Sequence, residues 1–256
     1  MNRTNTILLS AVCLLLLASP RVRAQTADEI VSKHISALGG KEKLLSLHSF
    51  YMEATAVMAN GTEISTKTWK VKDKLYRQEI SFGMGNVVII VTPTKGWASS
   101  PRNGGEFKPI PDEQLKVLQG QMDPAGPFVD YAARGSKVEL TGTDTVGGKE
   151  CYMLKLTPAS GADITYSIDK STYYVLRESR KGGGMMGGGG GAGAGGGRRG
   201  NGDGTMNIDF SDYQKTPDGF IFPNTIVAGG FGAKSSVEKL EVNKPVDEAA
   251  LSKPGN

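Results

Sequence analysis

Residues 50–61, FYMEATAVMANG, decide the fold class of this chain. Every second residue from Phe50 to Met58 belongs to one apolar set. A period of two puts alternate side chains on opposite faces of a β-strand. The Asn60-Gly61 pair that follows is typical of a tight hairpin turn. The stretch therefore predicts a strand that buries one face and then turns back on itself.

Similar alternating or apolar segments recur from residue 64 to residue 242, with glycine, proline and aspartate at the turns between them. This regular spacing is typical of a sandwich or barrel. We predict a single, mainly β domain over residues 25–256, with roughly ten or eleven strands.

Two helices are predicted beside these strands. Ile30, Val31 and Ile35 recur at helical spacing, which indicates a helix over Asp28–Leu38 that ends at Gly39-Gly40. A second helix is expected over Pro111–Gly120. Short helical turns are also expected at residues 41–47 and 128–133.

Residues 1–24 have the features of a cleavable signal peptide. Arg3 gives a basic start, an apolar run covers Ile7–Leu17, and Ala24 stands before a cleavage site at Gln25. The run is shorter than the roughly 20 residues that span a bilayer. We therefore expect export to the periplasm, and no transmembrane segment once the peptide is removed.

Cleavage also changes the charge and the cysteine count. Three arginines and no acidic residue leave with the peptide, so the formal charge falls from +4 to +1. A nearly neutral chain lacks the positively charged surface that nucleic-acid binding requires. Cys151 is then the single cysteine, and its apolar neighbours indicate a buried strand thiol.

Residues 182–204 are mostly glycine, and we predict that they form a disordered hairpin insertion. The glycines do not match a phosphate-binding loop, which needs a Gly-Lys-Ser/Thr sequence between a strand and a helix.

Catalytic and metal-binding motifs are missing from the sequence. His34 and His48 are the two histidines, and neither has a cysteine or carboxylate at metal-ligand spacing. No Gly-x-Ser-x-Gly motif occurs either. We therefore expect a protein that is not an enzyme and that has no cofactor and no metal.

Large and partly flexible apolar residues are the candidates for ligand binding, because such side chains line adaptable cavities. An ordinary protein core is the alternative for each of them. The candidate apolar cavity comprises Phe50, Met52, Met58, Trp69, Tyr76, Trp97, Met122 and Phe128.

Several blocks of the sequence resemble a known family. They are ALGGKEKL at residues 37–44, the segment from VEL at 138–140 to GKECYMLKL at 148–156, YSID at 166–169 and SDY at 211–213. In their order, the chain resembles the secreted outer-membrane lipoprotein-sorting proteins with a LolA/LolB-like fold. The resemblance covers most of the mature chain, and its motifs are turns and strand patterns.

That resemblance implies an unclosed, strongly curved antiparallel β-barrel with short helices on its concave side. It also implies an apolar cavity that holds the acyl chains of a lipid or lipoprotein, and envelope membrane proteins as partners. The alternative is a β-rich envelope interaction module with a filled core.

Overall fold

The computed structural model describes residues 25–83, 85–181, 205–228 and 233–255 of the 256-residue chain. The expected signal peptide and the glycine-rich insertion lie outside these ranges. Within them, thirteen antiparallel strands form a single sheet. The strands are β1 Ser49–Val57, β2 Glu63–Val71, β3 Leu75–Phe82, β4 Gly85–Val91, β5 Gly96–Ser99, β6 Lys108–Pro109, β7 Lys137–Val146, β8 Lys149–Thr157, β9 Ile164–Asp169, β10 Val175–Lys181, β11 Thr205–Lys215, β12 Ile221–Ala228 and β13 Lys234–Val242.

The sheet is open. Its strand order is β6-β5-β4-β3-β2-β1-β13-β12-β11-β10-β9-β8-β7, so β6 and β7 are edges that do not pair with each other. The first and last strands of the chain meet in the middle, where β1 pairs with β13 from Phe50–Val242 to Ala56–Ser235.

The sheet is also strongly curved. Tyr76 on β3 and Arg180 on β10 lie six strands apart, which would be about 29 Å in a flat sheet with strands spaced at roughly 4.8 Å. The charge of Arg180 nevertheless acts on the Tyr76 hydroxyl. The two halves of the sheet therefore face each other across a concave side, as predicted for an unclosed barrel.

Among the described residues, four short α-helices accompany the sheet: α1 Ala27–Ala37, α2 Lys41–Leu45, α3 Asp112–Gln119 and α4 Glu248–Leu251. A capping box starts α1, because Thr26 and Glu29 each accept a hydrogen bond from the other's backbone N–H. Ile30 and Val31 of α1 pack on β8 and β9, and Leu115 of α3 packs on β3 and β4. The prediction that the first and third of these helices cover the concave side is confirmed.

Three local predictions were wrong. The described strands outnumber the ten or eleven expected, partly because the two-residue strand β6 has no sequence pattern. The apolar segments at residues 220–222 and 225–228 predict two separate strands, whereas Ile221–Ala228 form one continuous strand, β12. Pro223 pairs with Tyr213 of β11, but β13 pairs only with Thr225–Val227. The other side of β12 therefore has no described partner at Pro223 that would need its missing N–H. Residues 128–133 form successive turns and no helix.

The convex face carries the C-terminal segment. Val246 and Leu251 pack on an apolar cluster formed by Val71, Leu75, Val88, Ile90, Trp97 and Phe107. Arg77 is buried beneath this segment, and its Nη1 donates a hydrogen bond to the Leu251 carbonyl at 2.8 Å. Its Nε donates to Glu79 at 2.7 Å, so the buried charge is paired.

Candidate functional site on the concave side

The concave side of the sheet is lined by four apolar clusters. Strands β8 and β9 form the first with α1 and Phe128, and strands β1 and β13 form the second with α2, Ala125 and Val129. The third joins β3 and β4 to α3 and Met122. The fourth, called here the uncovered cluster, contains Ala56, Ile64, Ile80 and Ala233 with Met58, Phe82 and Val87 packed against them.

The uncovered cluster differs from the other three in its composition. Its members lie in β1 to β4 or directly beside β1 and β13, and no helix among the described residues contributes to it. Met58, Phe82 and Val87 are half-buried there and keep part of their apolar surface accessible. This end of the concave side is therefore the place where an apolar ligand has least to displace.

Six of the eight predicted site residues lie on the concave side. Phe50 and Met52 belong to the β1–β13 cluster, Tyr76 and Met122 to the α3 cluster, Phe128 to the α1 cluster and Met58 to the uncovered cluster. The structure thus distributes them over all four clusters. Their role in ligand binding stays a prediction.

The expectation that Trp69 and Trp97 share a face with Phe50 was wrong. Trp69 is paired directly with Tyr51, and directly paired residues share a face, so it lies opposite Phe50. Trp97 pairs with Ile90 and packs in the convex cluster with Leu251. Both tryptophans therefore stabilise the convex face, where Trp69 and Tyr51 have ring centroids 4.9 Å apart.

A cavity of about 220 Å³ lies on that convex face. Tyr51 and Trp69 form one wall, and the segment from Lys244 to Asp247 with Leu251 forms the other. It is separated by the sheet from the four concave clusters.

A buried histidine connects α1 to the concave side. Nδ1 of His34 lies 2.8 Å from the Tyr173 carbonyl oxygen, and the imidazole meets Phe128 edge-on with centroids 5.3 Å apart. Phe128 in turn contacts Tyr166 at 4.9 Å. Burial lowers the pKa of His34, and the hydrogen bond to Tyr173 opposes that shift only partly. The neutral imidazole is therefore a packing and hydrogen-bonding element of the helix.

Sequence reasoning missed the charged residues on the concave side. Glu178 pairs directly with Tyr166 across β9 and β10, and Lys70 pairs directly with Tyr76 across β2 and β3. Arg180 shares the face of Glu178 and contacts its carboxylate through Nε at 2.5 Å. Alternation within a strand predicts which residues share a face but not which face is concave.

These charges alter the tyrosines beside them. Burial raises the pKa of Tyr76 to about 12, with Arg180 opposing the shift and Glu178 adding to it. Burial also raises the pKa of Tyr166 well above its usual value, and the Glu178 carboxylate adds to the effect. Both hydroxyls therefore stay protonated and can donate hydrogen bonds at neutral pH.

Two further features concern metal binding and membrane spanning in the described part of the chain. It contains no group of three or more His, Cys, Asp or Glu residues that could hold a metal ion. None of its helices is both long enough and apolar enough to cross a membrane.

Comparison with known proteins identifies the fold. No protein-family model and no curated protein sequence matches the chain. A LolA superfamily protein from Nitrosomonas europaea superposes with a TM-score of 0.50 and 11% identity, over 90% of this chain and 99% of that one. This chain has a LolA-like fold. A DUF1329 family protein from Desulfovibrio piger superposes equally well, with a TM-score of 0.50 and 12% identity over 89% of this chain and 98% of that one.

Proposed function

We propose that the protein is a periplasmic carrier that holds the acyl chains of a lipid or lipoprotein on the concave side of its open sheet. It would act without catalysis, for instance in outer-membrane lipoprotein sorting, and exchange its lipid with envelope membrane proteins. The LolA-like fold supports the general kind of function. The observation that carries the proposal is the uncovered cluster, whose half-buried apolar side chains have no described helix above them.

Acyl-chain binding there is physically reasonable. Each methylene that leaves water contributes about 0.8 kcal/mol. Methionine side chains such as Met52 and Met58 adapt their shape to chains of different length and saturation. The half-buried state of these two residues leaves them able to move.

Substitution of Met58 by glutamate tests the proposal. If the new carboxylate leaves three methylenes of the acyl chain in water, binding loses about 2.4 kcal/mol, which is roughly a fiftyfold loss of affinity. Thr55→Glu is the matched control, because Thr55 lies on the opposite face between Ser65 and Ser236, where the new charge meets no carboxylate directly. The measurement is uptake of a fluorescent fatty acid, with circular dichroism to establish folding.

The expected result is a folded Met58→Glu variant with strongly reduced uptake and a Thr55→Glu variant that binds as wild type does. Equal binding by wild type and Met58→Glu would place the ligand elsewhere. Unfolding of Met58→Glu alone would indicate a filled core.

An envelope interaction module with a filled core is the second candidate. It is favoured by the dense packing of the other three clusters, in which Ile30, Leu47, Val91 and Ile168 have no accessible surface. A wild-type protein that folds but takes up no fatty acid would favour this candidate.

A further inference from the structure

Lys70 is a positive charge on the concave side that has no hydrogen-bond or ion-pair partner among the described residues. It is half-buried on β2. Glu178 is engaged by Arg180 at 2.5 Å, and Asp123 by Arg134 at 2.6 Å. Each of these two nearby carboxylates is therefore paired with an arginine, and neither forms an ion pair with Lys70.

Thr68 provides a second, independent observation. Its side chain is 5% exposed, and its Oγ1 has no hydrogen-bond partner among the described residues. Thr68 stands two residues before Lys70 on the same face of β2, about 7 Å away along the strand. A buried hydroxyl without a partner costs free energy, so a group that accepts its hydrogen bond would stabilise the protein.

The surroundings favour an anion. The hydroxyl of Tyr76, the residue paired with Lys70, stays protonated at neutral pH and is a potential donor. Burial lowers the pKa of Lys70, and the charges of Glu178 and Asp123 only partly oppose this shift. A single negative charge beside Lys70 would remove the cost of leaving an ammonium group unpaired in the interior.

The distance to the uncovered cluster fits an amphiphile. Ile64 of that cluster and Lys70 are six residues apart on one face of β2, about 20 Å along the strand. An acyl chain spans about 15 Å, half of the hydrocarbon core of a bilayer. Between the two ends, β1 and β2 present the small side chains Ala54, Thr66 and Thr68 to the concave side, together with the flexible side chain of Met52 opposite Thr68.

We propose that Lys70 and Thr68 bind the single anionic group of an acidic lipid, whose acyl chain lies along β2 toward the uncovered cluster. This inference rests on the proposed carrier function and narrows it. The ligand is an amphiphile that brings one carboxylate or phosphodiester charge into the concave side.

The test compares charged and neutral lipids that have the same acyl chain. Binding of oleate, methyl oleate and phosphatidylglycerol is measured by isothermal titration or by displacement of a fluorescent fatty acid. The variants are Lys70→Met and the nearly isosteric Thr68→Val. Lys67→Met is the control, because Lys67 is a lysine of the same strand on the convex face.

Wild type should bind oleate more tightly than methyl oleate. Lys70→Met should lower the affinity for oleate about tenfold to a hundredfold, the range for a hydrogen bond to a charged group. Its affinity for methyl oleate should stay unchanged. Thr68→Val should weaken oleate binding less than Lys70→Met does. If Lys70→Met does not fold, Thr68→Val provides the comparison between oleate and methyl oleate. Lys67→Met should bind as wild type does.

Preference for oleate would identify a fatty-acid carboxylate as the anionic group, and preference for phosphatidylglycerol would identify a phospholipid phosphate. Equal binding of oleate and methyl oleate by wild type, or equal losses for both in Lys70→Met, would overturn the inference and leave the carrier function intact. Failure of every lipid to bind would overturn both.

Discussion

His34 gives the sharpest prediction about stability. The imidazole is buried between Phe128 and the Tyr173 carbonyl, and burial lowers its pKa below 6.5. Well above pH 6.5 the side chain is neutral in both the folded and the unfolded chain, so it adds no pH dependence there. As the pH falls below 6.5, the unfolded chain binds a proton that the folded protein resists. Stability is therefore lost as the pH falls through this range.

The loss of stability is limited because His34 binds only one proton. Each pH unit below 6.5 removes at most about 1.4 kcal/mol, until the folded pKa of His34 is reached. At this chain length about 1 kcal/mol corresponds to roughly 2–4 °C in Tm. The lowered pKa values of Asp163 and Asp169 do not interfere, since their stabilisation is lost only as the pH falls below about 4.

Urea unfolding between about pH 8 and pH 5 is the assay, applied to wild type, His34→Gln and His48→Gln. His48 is the matched control because it is the other histidine and is exposed. Wild type and His48→Gln should lose stability toward pH 5, whereas His34→Gln should show a flatter profile at a lower overall stability. The same slope in His34→Gln and wild type would refute the reasoning.

Three further outcomes are expected. Gly96→Ala should destabilise the protein by about 1–3 kcal/mol in urea unfolding, because the new Cβ would lie 2.8 Å from Leu115 Cδ1. Gly120→Ala is the control and should be nearly neutral, because its Cβ would meet nothing closer than 3.4 Å. Replacing residues 182–204 with Asn-Gly should leave Tm within a few degrees, because Lys181 and Thr205 are already a paired position at which a two-residue turn closes. Mass spectrometry of the exported protein should find Gln25 at its N-terminus; an intact Met1 would contradict cleavage.

The fold class could be predicted from sequence because the decisive signals are local. The period-two alternation from Phe50 to Met58 specifies the two faces of β1. The recurrence of buried residues about one helical turn apart, from Ile30 and Val31 to His34, specifies α1. Both patterns depend only on neighbouring residues, and the packing in the structure agrees with them.

The site could be predicted only in part, because relative orientation between strands is not a local property. Trp69 lies opposite Phe50 because of where the β1–β2 hairpin sets its register. Trp97 is covered by Leu251, more than 150 residues away in sequence. Lys70 and Glu178 fall within ordinary alternating strands, and only the curvature of the whole sheet brings their charges together.

Native mass spectrometry of the gently extracted protein tests the central claim, lipid carriage on the concave side, most directly. The wild-type protein and Thr55→Glu should carry an additional mass that organic extraction releases as a lipid, and Met58→Glu should appear without it. A wild-type protein that carries no lipid after gentle extraction, and that gains none when incubated with oleate or phosphatidylglycerol, would contradict the claim.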